Sequence, residues 1–254
     1  MGLDCDEGGL VKILFVNPAC QDLRVTDSDA QVVPIGLFYL AAQLLDAGFE
    51  AAILNLAQAD ITDPEQAFTT TLQKVKPDII GFSVTSASRF SAMGLARTAK
   101  NLVPRTWIMM GGPGATFMAD HIMAACAAVD FIVKGEGEIT CLALAKALAQ
   151  KDVPGVRQIP GLVFRDGPNL KDTGNPLLIG DLDQLVHPSR YFDFQHLAMS
   201  RGCPGACTFC GSPKFWGTRQ VRSHSADWFA HELTTLASKG ISHFYISDDT
   251  FTMD

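Results

Sequence analysis

Between positions 11 and 150, short apolar runs alternate with longer stretches in which apolar residues recur every three to four positions. The short runs are Lys12–Val16, Ala51–Leu56, Asp78–Ser83, Trp107–Met110 and Phe131–Val133, and each predicts a strand. The longer stretches predict helices. Pro34 opens one that runs to a stop at Gly48, and Asp63-Pro64-Glu65-Gln66 gives the next an N-cap, a first-turn proline and a capping-box glutamine. In a third, Phe90, Met93, Arg97 and Lys100 mark the helical repeat, while Ala92, Leu95, Ala96, Ala99 and Leu102 widen its apolar face.

The pattern changes after residue 150. Pro154 to Pro188 is rich in Pro, Gly and Asp and reads as a connector, with Gly161–Arg165 as one strand of a small hairpin. Strand and helix signals then return. Leu197–Met199 predicts a strand, Ser225 caps a helix through Ala226, Phe229, Leu233 and Leu236 to Gly240, and Phe244–Ser247 predicts a second strand. The expected division is therefore an α/β domain over 1–150, a linker over 151–195 and a second strand–helix unit over 196–254.

Five strand–helix units predict a parallel sheet covered on both faces, Rossmann-like or flavodoxin-like, whose ligands bind beyond the carboxyl ends of the strands. Those ends carry candidate contacts. The third strand ends in Ser83-Val-Thr-Ser-Ala-Ser88, the fourth in Gly111-Gly-Pro-Gly114, and the fifth leads into Gly135-Glu-Gly-Glu138. Glycine lets a ligand approach the backbone closely, and the hydroxyls of Ser83, Thr85 and Ser86 can bond phosphate or sugar. Taken singly, each loop also reads as a tight turn into a helix.

Composition narrows the classes. A 47% apolar and 19% charged chain of 254 residues has material for a substantial core. No apolar run approaches the ~20 residues of a membrane span. Met1 to Leu10 is acidic and glycine-containing, unlike a basic-then-apolar leader, so a cytoplasmic location is expected. A formal charge of -7 without a Lys/Arg cluster speaks against coating duplex nucleic acid. Of the seven cysteines, Cys5, Cys20, Cys126 and Cys141 show no mutual metal spacing and read as tail, loop and buried-helix thiols.

The remaining three carry the chemistry. Arg201-Gly-Cys-Pro-Gly-Ala-Cys-Thr-Phe-Cys210 sets Cys203, Cys207 and Cys210 at C-x3-C-x2-C spacing, one thiol short of a closed iron–sulfur or zinc site. Three thiolates on a cubane leave one iron open to bind something else. A zinc knuckle that recruits His224 as its fourth ligand is an alternative, although zinc thiols usually come in C-x2-C or C-x4-C pairs. A disulfide framework is disfavoured by the odd number of cysteines. Pro204, Gly205 and Gly211 let the loop curl tightly, as three ligands to one cluster require.

This loop resembles the cluster-binding loop of the radical S-adenosylmethionine (radical SAM) superfamily. The likeness extends to Phe209, in the aromatic slot that packs beside the adenine in that family, and to Gln220-Val-Arg-Ser223, a helix, and Ile246 to Asp254. The resemblance implies that Ser247, Asp248 and Asp249 form the turn near the methionine amino group. It also implies a 4Fe-4S cluster on Cys203, Cys207 and Cys210 that cleaves S-adenosylmethionine reductively, with an electron donor such as flavodoxin or ferredoxin. By itself Phe209 reads equally as a core aromatic.

With the Gly-Gly-Pro and Gly-Glu-Gly-Glu turns upstream in this order, the amino-terminal part resembles the cobalamin-binding domain of the cobalamin-dependent radical SAM enzymes. That implies cobalamin near Ser83, Thr85, Ser86, Gly111, Gly112, Gly135, Glu136 and Gly137. Asn17 to Gln31 holds no histidine, so the Asp-x-His-x-x-Gly lower-ligand motif is absent and a corrinoid without histidine coordination is expected. The fold expected for residues 196–254 is the start of a partial (β/α)6 barrel. A chain with about two of six units is expected to be a fragment, inactive alone, acting on an unidentified small molecule or peptide by methylation or rearrangement. A radical SAM methylthiotransferase and a non-catalytic corrinoid or nucleotide carrier with a zinc knuckle are the alternatives.

Overall fold

A computed structural model describes residues 10–20 and 31–251. Cys5, part of the 17–31 loop and the last three residues of the 246–254 segment lie outside the described residues.

The first half folds as its pattern predicts. Its strands are β1 (Lys12–Asn17), β2 (Glu50–Asn55), β3 (Ile79–Ser83), β4 (Trp107–Gly111) and β5 (Phe131–Val133), in the order β2-β1-β3-β4-β5, all parallel. Between them run α1 (Ile35–Asp46), α2 (Pro64–Val75), α3 (Arg89–Leu102) and the short pair α4 (Pro113–Phe117) and α5 (Ala119–Ala125). Next come α6 (Glu138–Ala149) and the single turn α7 (Val153–Val156). Alternation along β1 feeds two cores: Leu14 and Val16 join Phe68, Phe82 and Met110 on one face, while Ile13 and Phe15 join Leu37, Leu44, Met109 and Leu144 on the other. Gly81 is required between them, because a Cβ there would stand 2.8 Å from both Phe15 and Met109 side-chain atoms.

The helix signals hold in detail. The Asp63 side chain accepts from the Gln66 N–H at 2.9 Å, and Ser225 Oγ accepts from the Trp228 N–H at 3.2 Å. On α3 the buried face is Ser91, Ala92, Met93, Leu95, Ala96 and Ala99, whereas Phe90 and Leu102, read as apolar-face positions, are exposed at the helix ends.

The segment read as a connector does more than connect. β6 (Leu162–Asp166) pairs antiparallel with β5, and β7 (Asn169–Asp172) pairs antiparallel with β6, so the hairpin completes a seven-stranded sheet. Leu162, Val163 and Phe164 are buried, and this burial pulls the hairpin onto the sheet edge.

Four short strands follow: β8 (His196–Leu197), β9 (Ser200–Arg201), β10 (Arg222–Ser223) and β11 (Tyr245–Ile246), with α8 (Ser212–Trp216) and α9 (Ala226–Ser238) between them. The predicted strand 197–199 is thus split into β8 and β9, because Asp248 captures the N–H groups of Met199 and Ser200 at 2.8 and 2.9 Å. β8 and β11 pair in parallel with α9 crossing between them, the repeating element of an α/β barrel. This unit packs on α1: Phe38 joins Phe194, Leu197, Phe229 and Leu236, and Tyr39 joins Ile179, Leu182, Leu185 and Trp228.

Candidate functional site

The cysteine loop hangs from a two-rung neck in which β9 and β10 pair Arg201 with Arg222 and Ser200 with Ser223. Gly202 sits at φ +101°, and a Cβ there would collide with the Gln220 carbonyl oxygen, so the neck closes only with glycine at that position. Beyond it Cys203 is half-buried, and Cys207 and Cys210 are exposed. The first two thiols both abut Gly205: an added Cβ would lie 3.3 Å from Cys203 Sγ and 3.7 Å from Cys207 Sγ.

Among the described residues no three His, Cys, Asp or Glu side chains converge within reach of one metal ion. The donor chemistry nevertheless fits a cluster held by three thiolates. Cys203 Sγ accepts from Thr250 Oγ1 at 3.0 Å and the Gly205 N–H at 3.4 Å, and Cys210 Sγ accepts from the Ser212 N–H at 3.5 Å. Such donors orient the sulfurs. Most of residues 204–210 are exposed, so drawing the sulfurs together displaces no core side chain.

Two expectations for neighbouring residues change. His224, the fourth ligand of a zinc knuckle, is buried 3.6 Å over the Trp228 ring, with its ring nitrogens 3.2 Å from Tyr39 Oη and 3.3 Å from Asp183 Oδ1. It is committed elsewhere. Burial first, and then the nearby Arg201 charge, push its pKa down to about 4. Phe209 is 91% exposed on the loop, so it is not a core aromatic.

The turn after β11 braces the loop at three points. Asp248 takes the Met199 N–H on one oxygen and the Ser200 N–H and Oγ–H on the other, the last at 2.6 Å. Asp249 Oδ2 accepts from Ser212 Oγ and Trp216 Nε1, both at 2.6 Å. Thr250 donates to Cys203 Sγ. Asp248 is therefore occupied by the backbone of its own unit, whereas Ser247 and Asp249 line a cavity.

That cavity, of about 270 Å³, is shared by the two halves of the chain. Ser83, Gly111, Gly112, Gly135, Glu136 and Gly137 contribute from the strand ends; Ala198, Arg201, Trp216, Ser247 and Asp249 contribute from the cysteine-bearing unit. Leu37, Leu40, Met109 and Cys141 line its apolar part, where burial pushes the Cys141 thiol up to about 12 and keeps it protonated. Gly112, at φ +87°, and Gly114 are held against the third strand's end: a Cβ on Gly114 would stand 2.5 Å from the Thr85 carbonyl carbon. Thr85 and Ser86 themselves are turned to local work. Thr85 Oγ1 lies 3.1 Å from Ser88 Oγ, and Ser86 accepts from Arg89, so neither hydroxyl joins Ser83 at the cavity.

An ionic network joins the glycine turn to the cysteine neck. Arg201 donates to Glu136 Oε1 at 2.6 Å and Glu138 Oε1 at 2.7 Å; Arg222 donates to Glu136 Oε2 at 2.8 Å and to the Ile179 carbonyl at 2.6 Å. All four side chains are nine-tenths or more buried. Burial alone would raise Glu136, but the Arg222 hydrogen bond and the Arg201 charge outweigh it and hold the carboxyl below its usual range. Arg201 also faces the Tyr39 ring at 5.0 Å and the Trp216 ring at 5.8 Å. Sequence reasoning missed Arg201, Arg222, Glu138, Trp216 and Thr250 as site residues. Arg201 and Glu138 stand inside the two motifs that drew notice, and only their pairing across 63 positions was invisible.

Comparison with known proteins agrees with this geometry. Residues 22–145 match the B12 binding domain family. An uncharacterized methyltransferase of Pyrococcus horikoshii is 31% identical over 258 residues, which span 96% of this chain and 55% of that protein. The anaerobic magnesium-protoporphyrin IX monomethyl ester cyclase of Synechocystis sp. is 27% identical over 96% of this chain and 50% of its own. The solved structure of the cobalamin-dependent S-adenosylmethionine radical enzyme OxsB, with aqua-cobalamin bound, shares the fold at a TM-score of 0.78 and 18% identity, over 95% of this chain and 34% of that one. The amino-terminal part of the chain carries a B12 binding domain, and nearly the whole chain shares the fold of that radical enzyme. The chain spans about half the length of the curated relatives it matches. The α/β fold class read from the sequence is borne out.

Proposed function

We propose that this chain carries the two cofactor sites of a radical SAM enzyme that methylates an unactivated carbon of a small molecule or peptide. The observation that carries this reading is the shared cavity: the glycine turns of a B12 binding domain and the turn and neck of the cysteine unit open onto one space. When bound, a 4Fe-4S cluster supplies the electron that cleaves S-adenosylmethionine, and cobalamin supplies a methyl carrier.

The chain's own residues hold and orient. Cys203, Cys207 and Cys210 are the cluster ligands, and Thr250 orients Cys203 through its hydrogen bond. Phe209, open to solvent, offers a face for the adenine. Ser247 and Asp249 face the cavity as partners for the amino group of S-adenosylmethionine. Gly111, Gly112, Gly135 and Gly137 let the corrinoid approach the strand ends, with Ser83 as a hydrogen-bonding hydroxyl. A one-electron donor of the flavodoxin or ferredoxin type completes the system, and an oxygen-sensitive cluster suits the cytoplasm. Among the described residues no helix is long and apolar enough to cross a membrane.

Anaerobic reconstitution tests the reading. Brown protein with about four irons and four sulfides per chain is expected, cobalt is retained after growth with hydroxocobalamin, and Cys203→Ala, Cys207→Ala or Cys210→Ala each abolish iron binding. Colourless protein holding one zinc overturns it in favour of the carrier. The companion assay is formation of 5'-deoxyadenosine by the full-length protein.

A further inference from the structure

Cys203 lies two residues from Arg201, and Arg201 is fastened to the glycine turn that begins at Gly135. The attachment is geometrically demanding. A guanidinium is a rigid planar fork, and here its two arms go to two different carboxylates, Glu136 and Glu138, which fixes its position and its plane. Arg222, the cross-strand partner of Arg201, anchors on the second oxygen of Glu136. Both strands of the neck thus end on one turn of the other unit.

The neck itself cannot yield easily. Asp248 holds the backbone of Ser200, and Gly202 is wedged against Gln220. A shift of the 135–138 turn is therefore passed to Cys203 instead of being absorbed in the chain. The turn is equally constrained on its own side: the Gly135 N–H donates to Thr116 Oγ1 at 2.9 Å, and Glu136 accepts from the Ile179 N–H at 2.9 Å.

We propose that Arg201, Arg222, Glu136 and Glu138 form a positioning clamp that couples the cluster thiols to the corrinoid-binding turn, so that filling one site raises affinity at the other. This rests on the two-cofactor reading above. A buried ion pair that merely glued two units together would stabilise the fold without making the sites cooperative.

The test is a binding cycle. Hydroxocobalamin affinity is measured by anaerobic equilibrium dialysis, with cobalt as readout, for cluster-loaded protein and for the Cys203→Ala/Cys207→Ala/Cys210→Ala variant. Binding at least about fivefold tighter in the cluster-loaded protein is expected. Glu138→Asp keeps the charge but shortens its reach, and should bring the ratio to about one with iron content little changed. An equal ratio in wild type and Glu138→Asp, or no preference in wild type, overturns the clamp. If Glu138→Asp fails to fold, Arg201→Lys, which keeps the charge without the fork, must lose the ratio instead. Wild-type protein that takes up iron and cobalt but shows no preference defeats the clamp alone; protein that takes up neither defeats the cofactor reading and the clamp with it.

Discussion

His224 shows what a side chain's surroundings do to its chemistry. In isolation it is a metal-ligand candidate; in place it is wedged between Tyr39, Trp228 and Asp183. Its pKa is held down to about 4, below the ordinary 6.5, so the unfolded chain binds more protons than the folded one as pH drops between those values. Stability from this group is therefore complete above about pH 6.5 and is lost as pH falls towards 4, by up to about 3 kcal/mol. His187, also lowered by burial, acts in the same sense, while Glu232, raised by burial, opposes both. Denaturant titrations at pH 7 and pH 5 should show the loss, and His224→Phe, which keeps the stacking, should flatten it.

Among the short elements of the second unit, the turn after β11 does the organising. β8 and β9 are two residues each, too short to stand alone, and the Asp248 carboxylate ties them together. Asp248→Asn keeps the shape but replaces one charged acceptor with a donor facing an N–H or O–H. We expect a loss of about 2 kcal/mol, read as roughly thirty-fold faster hydrogen exchange at Met199 and Ser200, with β1–β5 unchanged. The capped helices were legible beforehand because Asp63 and Ser225 act within three residues of themselves. Asp248 was noticed for a different role, since its partners lie 48 and 49 positions away.

Across the whole molecule, the joint between the sheet and the cysteine unit combines an apolar seam at α1 with the buried Arg–Glu network. Glu136 serves both arginines, so Glu136→Gln removes the shared negative charge and leaves one buried guanidinium facing an amide NH2. Losing one member of such a network costs about 3 kcal/mol. That lowers Tm by roughly 6–12 °C for a chain of this size, measurable by calorimetry. The same substitution should loosen the cavity, because Glu136 sits in its wall.

Local chemistry was readable from order alone. Apolar periodicity predicted the five parallel strands and their helices, the glycine turns and the three cysteines announced candidate ligand loops, and the caps were where short-range bonding puts them. Tertiary structure decided which loops share a cavity, sent the hairpin to the sheet edge, withdrew His224, Thr85 and Ser86 from the site, and joined Arg201 to Glu138. The reason is physical: propensity and capping act over a few residues, whereas burial and ion pairing depend on which surfaces meet once the chain has closed over tens of positions.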